Sequence, residues 1–411
     1  MNDSTPQSES SDSWLNRTVV GAGVTSAFGD LTYETSNVIL PGFLAVLGIP
    51  AAVLGTIEGI ADGVASFTKL ASGYIADRLG IRKTLVVIGY ALTALQQVFL
   101  ALAVGWWMIL IGRTIAWFGK GIRGPLRDAI ISEAITPRTR GRAFGFHRAA
   151  DSLGAVLGPL LGVAVLAWAQ TLPFEDASGA FRLVFWLAII PGILSVLSFA
   201  LLVTDNRAKP NPSLRFGETL RTLPRPFRRY LFAVWLFGMG DFSHLLLILA
   251  ATQILTPQFG VVEGSQIAGL LYVGRNLVQV IASVPIGALA DKYGHRRVLV
   301  AGYLSGTAMV GLLIVAFAHG TDSLLLLGTI FFLAGLCIAV QEALEAAMTA
   351  DLVPDEIRGT SYGVLGAING IGDLFSSIAV GLVWTLISPA AGFALALVFL
   401  LTGTAVLARL R

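Results

Sequence analysis

Asp30 and Glu34 stand four residues apart in an otherwise apolar run, so one helix face would carry both. Two carboxyl groups on one face resist simultaneous ionisation, and such a pair can take up and release a proton. Asp241 and His244, three apart, and Glu342 and Glu345, three apart, repeat the pattern later in the chain. The bases are arranged as a strip. Arg113, Lys120 and Arg127 are spaced by seven, with Arg123 between, so a single helix would carry basic groups over roughly 21 Å. Arginines in such a strip suit the bidentate grip of a carboxylate or phosphate. Glu58, Asp62, Lys69, Arg148, Asp151, Arg275 and Asp373 also fall in apolar surroundings. HExxH and Walker patterns are absent, and the single cysteine (Cys337) gives no thiolate metal site. The chemistry on offer is the handling of protons and anions, with no enzyme and no metal expected.

These residues need elements to hold them, and composition says which. The 411 residues are 55% hydrophobic and 13% charged, about half the roughly 25% charge of a soluble domain. That excludes a single water-soluble core, a disordered chain, a disulfide-rich secreted domain and a nucleic-acid binder. Apolar runs long enough to cross roughly 30 Å of hydrocarbon fall at about 18–47, 50–77, 84–104, 106–134, 141–169 and 181–203. Six more follow at about 229–255, 265–291, 298–318, 322–351, 358–387 and 390–408. Spans 1, 2, 4 and 10 are interrupted by charge. A charge at mid-bilayer costs roughly 2.5–3.5 kcal/mol on insertion scales, so each is a functional candidate. The expected divisions are a disordered tail at 1–17, a six-helix bundle at 18–203, a basic linker at 204–228 and a second bundle at 229–411. Twenty of the 28 Lys and Arg fall in alternate connections, which predicts both termini in the cytoplasm. No cleavable leader is expected, the first span serving as insertion signal.

The halves repeat. Gly29-Asp30 aligns with Gly240-Asp241 at an offset of 211. The loop from Gly73 through Asp77, Arg78, Gly80, Arg82 and Lys83 aligns with Gly287, Asp291, Lys292, Gly294, Arg296 and Arg297 at an offset of 214. Arg140-Gly141, Phe144-Gly145 and Gly154 align with Arg358-Gly359, Tyr362-Gly363 and Gly372 at an offset of 218. Three matches in order predict an all-α membrane protein of twelve transmembrane helices in two pseudo-symmetric six-helix bundles, with a site between them near the midplane.

The loop at 73–83 and its echo at 287–297 resemble the signature of the major facilitator superfamily, and the resemblance covers essentially the whole chain. Gly154-x-x-x-Gly158-Pro159-x-x-Gly162 resembles the helix 5 signature of its twelve-helix drug/proton-antiporter branch. Arg113 resembles that branch's helix 4 arginine, although Trp117 stands four residues on, where the branch usually has glycine. The resemblance implies that helices 1, 4, 7 and 10 line a central cavity. Asp30, Glu34 and Asp241 would then couple protons, and Tyr33, Arg113, Lys120, Arg123, Arg127, His244, Glu342 and Glu345 would face the substrate. Gly73, Asp77, Arg78, Glu133 and Asp291 would form a conformational gate, with Glu133 bracing Asp77 and Arg78. Glu58, Asp62, Arg148, Asp151, Arg275 and Asp373 would form ion pairs along the seam between the halves. Arg127 and Glu345, equivalent under the 218-residue offset, would latch the cytoplasmic side when it closes.

The expected function is transport of a small organic solute, anionic or zwitterionic because of the basic strip. The energy source would be a proton gradient, with no cofactor. Export is favoured by the helix 5 signature, and an uptake symporter or anion exchanger is the alternative. A non-transporting receptor is remote. No span shows the helix break that a sodium site would use. The partners expected are the small-molecule substrate and the lipid bilayer of a plasma (bacterial inner) membrane, with the protein monomeric.

Overall fold

The computed structural model describes residues 14–79, 81–135, 140–204, 223–354 and 358–410. In the first half the helices are α1 (Arg17–Val46), α2 (Ala51–Leu79), α3 (Arg82–Ala101), α4 (Trp106–Glu133), α5 (Arg140–Ala169) and α6 (Ser178–Leu202). In the second they are α7 (Arg225–Gly238), α8 (His244–Tyr293), α9 (His295–His319), α10 (Leu324–Leu352), α11 (Arg358–Leu386) and α12 (Pro389–Arg409). Polar residues at the ends start them. Asn16, Ser323 and Ser388 accept from the backbone amides of Val19, Leu326 and Ala391. Asp176, in the connection before α6, accepts from Ser178 and Gly179, and those bonds, the Ser178 hydroxyl first, hold its carboxyl below the usual carboxylate range.

Eight helical stretches among the described residues are long and apolar enough to cross a membrane. Helices α1, α2 and α4 match them in length, at 30, 29 and 28 residues, but carry the internal charges that depress their hydropathy. Neighbours repeat between halves: α1 packs on α5 and α6 as α7 packs on α11 and α12, and α3 packs on α4 and α6 as α9 packs on α10 and α12. The two bundles read from the repeated motifs are present.

The seventh span is broken, where a continuous helix was expected. Helix α7 stops at Gly238, residues 239–243 are non-helical, and Ser243 caps the start of α8. Backbone groups freed inside a membrane need new partners. The Ser376 hydroxyl donates to the Asp241 carbonyl at 2.7 Å, and the Ser243 amide donates to Ser377 Oγ at 3.0 Å. Gly240 permits the close passage of α12 behind the break, since a Cβ there would strike the Ala396 carbonyl. Helix α8 then doubles back at Gly260, whose φ of 75° suits glycine. Residues 244–259 complete the seventh span and 261–293 form the eighth.

The halves meet along α2 and α11, and along α8 against α1 and α5. From the end bearing residues 51 and 381 to about mid-depth, α2 and α11 are in backbone contact: a Cβ on Gly55, Gly59 or Gly381 would strike the carbonyl of Ser377, Leu374 or Ala51. Small residues are what allow helices to approach so closely. That end, opposite the face carrying both termini, is sealed. The terminal face is open to a large cavity. Along α2 and α11 the seam is held by glycine packing. Among the described residues every ion pair stays within one half, so the expected seam ion pairs are not formed as such.

Candidate functional site

A vestibule of about 1430 Å³ opens at the terminal face and leads to an inner pocket of about 340 Å³. Tyr33, Glu34, Lys120, His244, Arg275, Ile338 and Glu342 line both. The vestibule adds Asp30, Lys69, Arg123, Arg127, Arg148 and Asp151, and the inner pocket adds Asn37, Asp62, Trp117, Asp241, Glu345 and Asp373. The first bundle lines the two cavities with bases and acids in equal number, and the second adds Asp241, Glu342, Glu345 and Asp373 against Arg275 and His244, so the second wall is the more acidic.

Helix α1 presents both expected proton carriers. Asp30 Oδ1 lies 3.9 Å from Arg123 Nη2. The Tyr272 hydroxyl donates to Glu34 Oε2 at 3.1 Å, a bond that joins the two bundles. Helix α5 brings its backbone against the same stretch of α1. A Cβ on Gly154 would meet the Ala27 carbonyl and Asp30 Cβ, one on Gly158 would meet Glu34 Cβ, and one on Gly162 would meet the Thr35 carbonyl. The glycines of the helix 5 signature thus pack α5 directly behind the two acids. Their spacing has a full explanation in that contact and carries no direction of transport.

The basic strip on α4 divides. Arg113 is 0% exposed and lines neither cavity, which corrects its assignment to the substrate cavity. Its Nε and Nη2 donate to the two Glu58 carboxylate oxygens, Nη1 donates to Asn37 Oδ1 at 2.7 Å, and the guanidinium covers the Trp117 ring at 3.7 Å. Trp117 also donates to Asp62 Oδ1 and faces Lys120. A glycine at 117 could do none of this, so the departure from the branch pattern has a structural use. Lys120 sits 4.3 Å over the Tyr33 ring. Arg123 covers Tyr90 at 4.3 Å. Arg127 donates to Ser26, Tyr90 and Asp128.

In the second bundle, Asp241 lies in the break and accepts from Gln341 Nε2 at 2.7 Å. His244 opens α8 and stacks on Tyr272 with centroids 5.1 Å apart. Arg275 donates to Asn276 and Gln279. Glu342 accepts from Gln279. Glu345 is held by Tyr303 at 2.8 Å and Asn369 at 2.7 Å. The Arg127–Glu345 latch is not formed in this conformation, each group being bonded within its own half. Of the seam residues, Glu58 pairs with Arg113 and is reached from the other half by the Ser243 hydroxyl at 3.4 Å. Arg148 and Asp151 pair along α5 at 3.6 Å, and Asp151 also accepts from Ser26. Asp62 and Asp373 both face the inner pocket.

Gly73, Asp77, Arg78 and Asp291 of the expected gate lie outside the residues whose side chains are described. Glu133, their expected brace, binds Arg82 of the same loop signature in bidentate fashion, at 2.7 and 2.6 Å. Sequence reasoning missed Tyr272, Gln341, Asn37 and Tyr90. Asn37 is fully buried on the inner pocket. With its oxygen taken by Arg113, its Nδ2 has no partner among the described residues.

The family model described as Major Facilitator Superfamily matches residues 22–262 and 230–411. The chain is 29% identical over 386 residues to the uncharacterized MFS-type transporter MJ1317 of Methanocaldococcus jannaschii, covering 92% of this chain and 91% of that protein. It is 25% identical over 340 residues to the 3-(3-hydroxy-phenyl)propionate transporter of Escherichia coli, covering 80% and 75%. Among solved structures, that of the nucleoside transporter NupG superposes with a TM-score of 0.75 at 14% identity, covering 95% of this chain and 97% of that one.

Proposed function

This chain belongs to the major facilitator superfamily, and we propose that within it the protein is a proton-coupled symporter of a small organic anion. The observation that carries the reading is that Lys120 and Arg275 face the pocket from opposite bundles without an ion-pair partner among the described residues. A carboxylate between them would meet two cations and the Asn37 amide, with the rings of Tyr33, Trp117 and Tyr272 left to the apolar part of the solute. The propionate named for the Escherichia coli relative is an anion of this kind.

Coupling follows from the Asp30–Arg123 apposition. An ionised Asp30 occupies Arg123, and a protonated Asp30 releases it to the anion. Proton and anion then assist each other's binding, which by linkage is reciprocal. Mutual assistance favours symport, whereas an antiporter needs the two to compete. With the terminal face cytoplasmic, as the basic loops suggest, the conformation described is inward-facing. In one half-cycle the Tyr272–Glu34 bond would part as the bundles rock.

Lys120→Gln and Arg275→Gln are each expected to weaken binding of small carboxylates about tenfold or more, the worth of a charge-assisted hydrogen bond. A thermal-shift panel of carboxylates and organic cations on purified protein reads this. Stabilisation by cations alone, or carboxylate shifts that survive both substitutions, would refute the anion.

A further inference from the structure

Away from the central cavity, α7 and α12 form a cleft of about 540 Å³ at the terminal face, lined by Arg225, Arg228, Arg229, Phe232, Val406, Arg409 and Leu410. Its shape follows from packing. At Gly403 the two helices are in backbone contact, since a Cβ there would strike the Phe237 amide. One to three turns toward the terminal face they splay, and the wedge between them is left unfilled. Its floor is apolar: Phe232 is 51% exposed on the outer surface, with Val406 and Leu410 beside it. Its rim carries four guanidiniums from two helices, none in an ion pair among the described residues.

We propose that this cleft binds an anionic diacyl phospholipid, its headgroup phosphate held by Arg228, Arg229 and Arg409 and one acyl chain laid along Phe232 and Val406. The chemistry of the two ends specifies that ligand. A soluble phosphate would use the rim and leave the apolar floor wet, and a neutral lipid would leave four like charges crowded and uncompensated. Basic pockets between helices at the headgroup level suit anionic lipids, each Arg near the surface contributing to the attraction. Scattered basic residues explain the orientation of a membrane protein, but not the convergence of two helices' arginines on one amphipathic wedge. The site lies on the outer flank of the second bundle, so it is independent of the transported solute.

The test uses the full chain reconstituted in dioleoyl-phosphatidylcholine vesicles containing a rising fraction of phosphatidylglycerol brominated on its acyl chains. Quenching of tryptophan fluorescence is read as the difference between the protein and its Trp235→Phe variant. Trp235 lies beside Phe232, with ring centroids 5.9 Å apart. Quenching at Trp235 should exceed that given by equally brominated phosphatidylcholine, and Arg228→Gln/Arg409→Gln should raise the phosphatidylglycerol fraction at half-quenching about tenfold. The control Arg296→Gln/Arg297→Gln removes equal charge from the same face and should leave that fraction unchanged. Equal loss in the control would show general surface attraction and overturn the site. Displacement of the lipid by millimolar inorganic phosphate would show an anion site without a lipid component, and no preference over brominated phosphatidylcholine would likewise overturn the proposal. A thermal midpoint within a few degrees of wild type in phosphatidylcholine alone certifies that the variants are folded.

Discussion

Arg113→Met is expected to cost about 3–5 kcal/mol of stability, because it strands the buried Glu58 carboxylate without its partner. Both oxygens of Glu58 now face the guanidinium, and the Ser243 hydroxyl at 3.4 Å is a poor substitute. Asn37 would lose its partner as well. Adding Glu58→Gln to the same chain should recover more than half of the loss, since a neutral amide needs far less compensation than a charge. Arg113→Lys should fail to restore stability, as one ammonium cannot fill a fork that reaches Glu58 and Asn37 together. Denaturation monitored in detergent reads all three. Carboxylate affinity in the surviving protein should stay near wild type. A variant that melts like wild type yet loses carboxylate binding would return Arg113 to the substrate site.

The second large effect falls on coupling. Asp30→Asn should leave Arg123 permanently free, so binding of the anion becomes insensitive to pH while gradient-driven accumulation drops at least tenfold. Coupling energies between linked sites run to about 1–3 kcal/mol, or roughly 5- to 150-fold, which sets the scale of that loss. Exchange of labelled for unlabelled solute, which needs no net proton movement, should persist. Glu34→Gln still offers Tyr272 an acceptor, so its effect on bundle closure should be smaller than its effect on proton release. Full gradient-driven transport in both variants would mean that neither acid carries the proton.

The span pattern, the two bundles and the charge-bearing helices were legible because each is written locally, in hydropathy and in repeated short motifs. What is made across the seam was not. Tyr272 and Glu34 are 238 residues apart, and no local spacing connects them. Arg113 looked like the head of a basic strip. Its burial depends on Glu58 and Asn37, on two other helices, so periodicity on α4 cannot distinguish it from Lys120. The break in the seventh span did leave a local signal in Gly240, Asp241 and Ser243, the chemistry of a helix stop and restart. It was masked by the apolar run on either side. The glycines of α5 resemble a branch signature in the sequence, and the structure packs them against α1.

Proton–anion symport is tested most directly in proteoliposomes loaded at neutral pH and diluted into acid buffer containing a labelled carboxylate chosen by the thermal-shift panel, with the membrane potential clamped. Symport predicts accumulation of the label above its outside concentration, with a matching alkalinisation of the outer medium, and both collapse when a protonophore is added. Expulsion of preloaded carboxylate under that same inward proton gradient would contradict it and establish antiport instead.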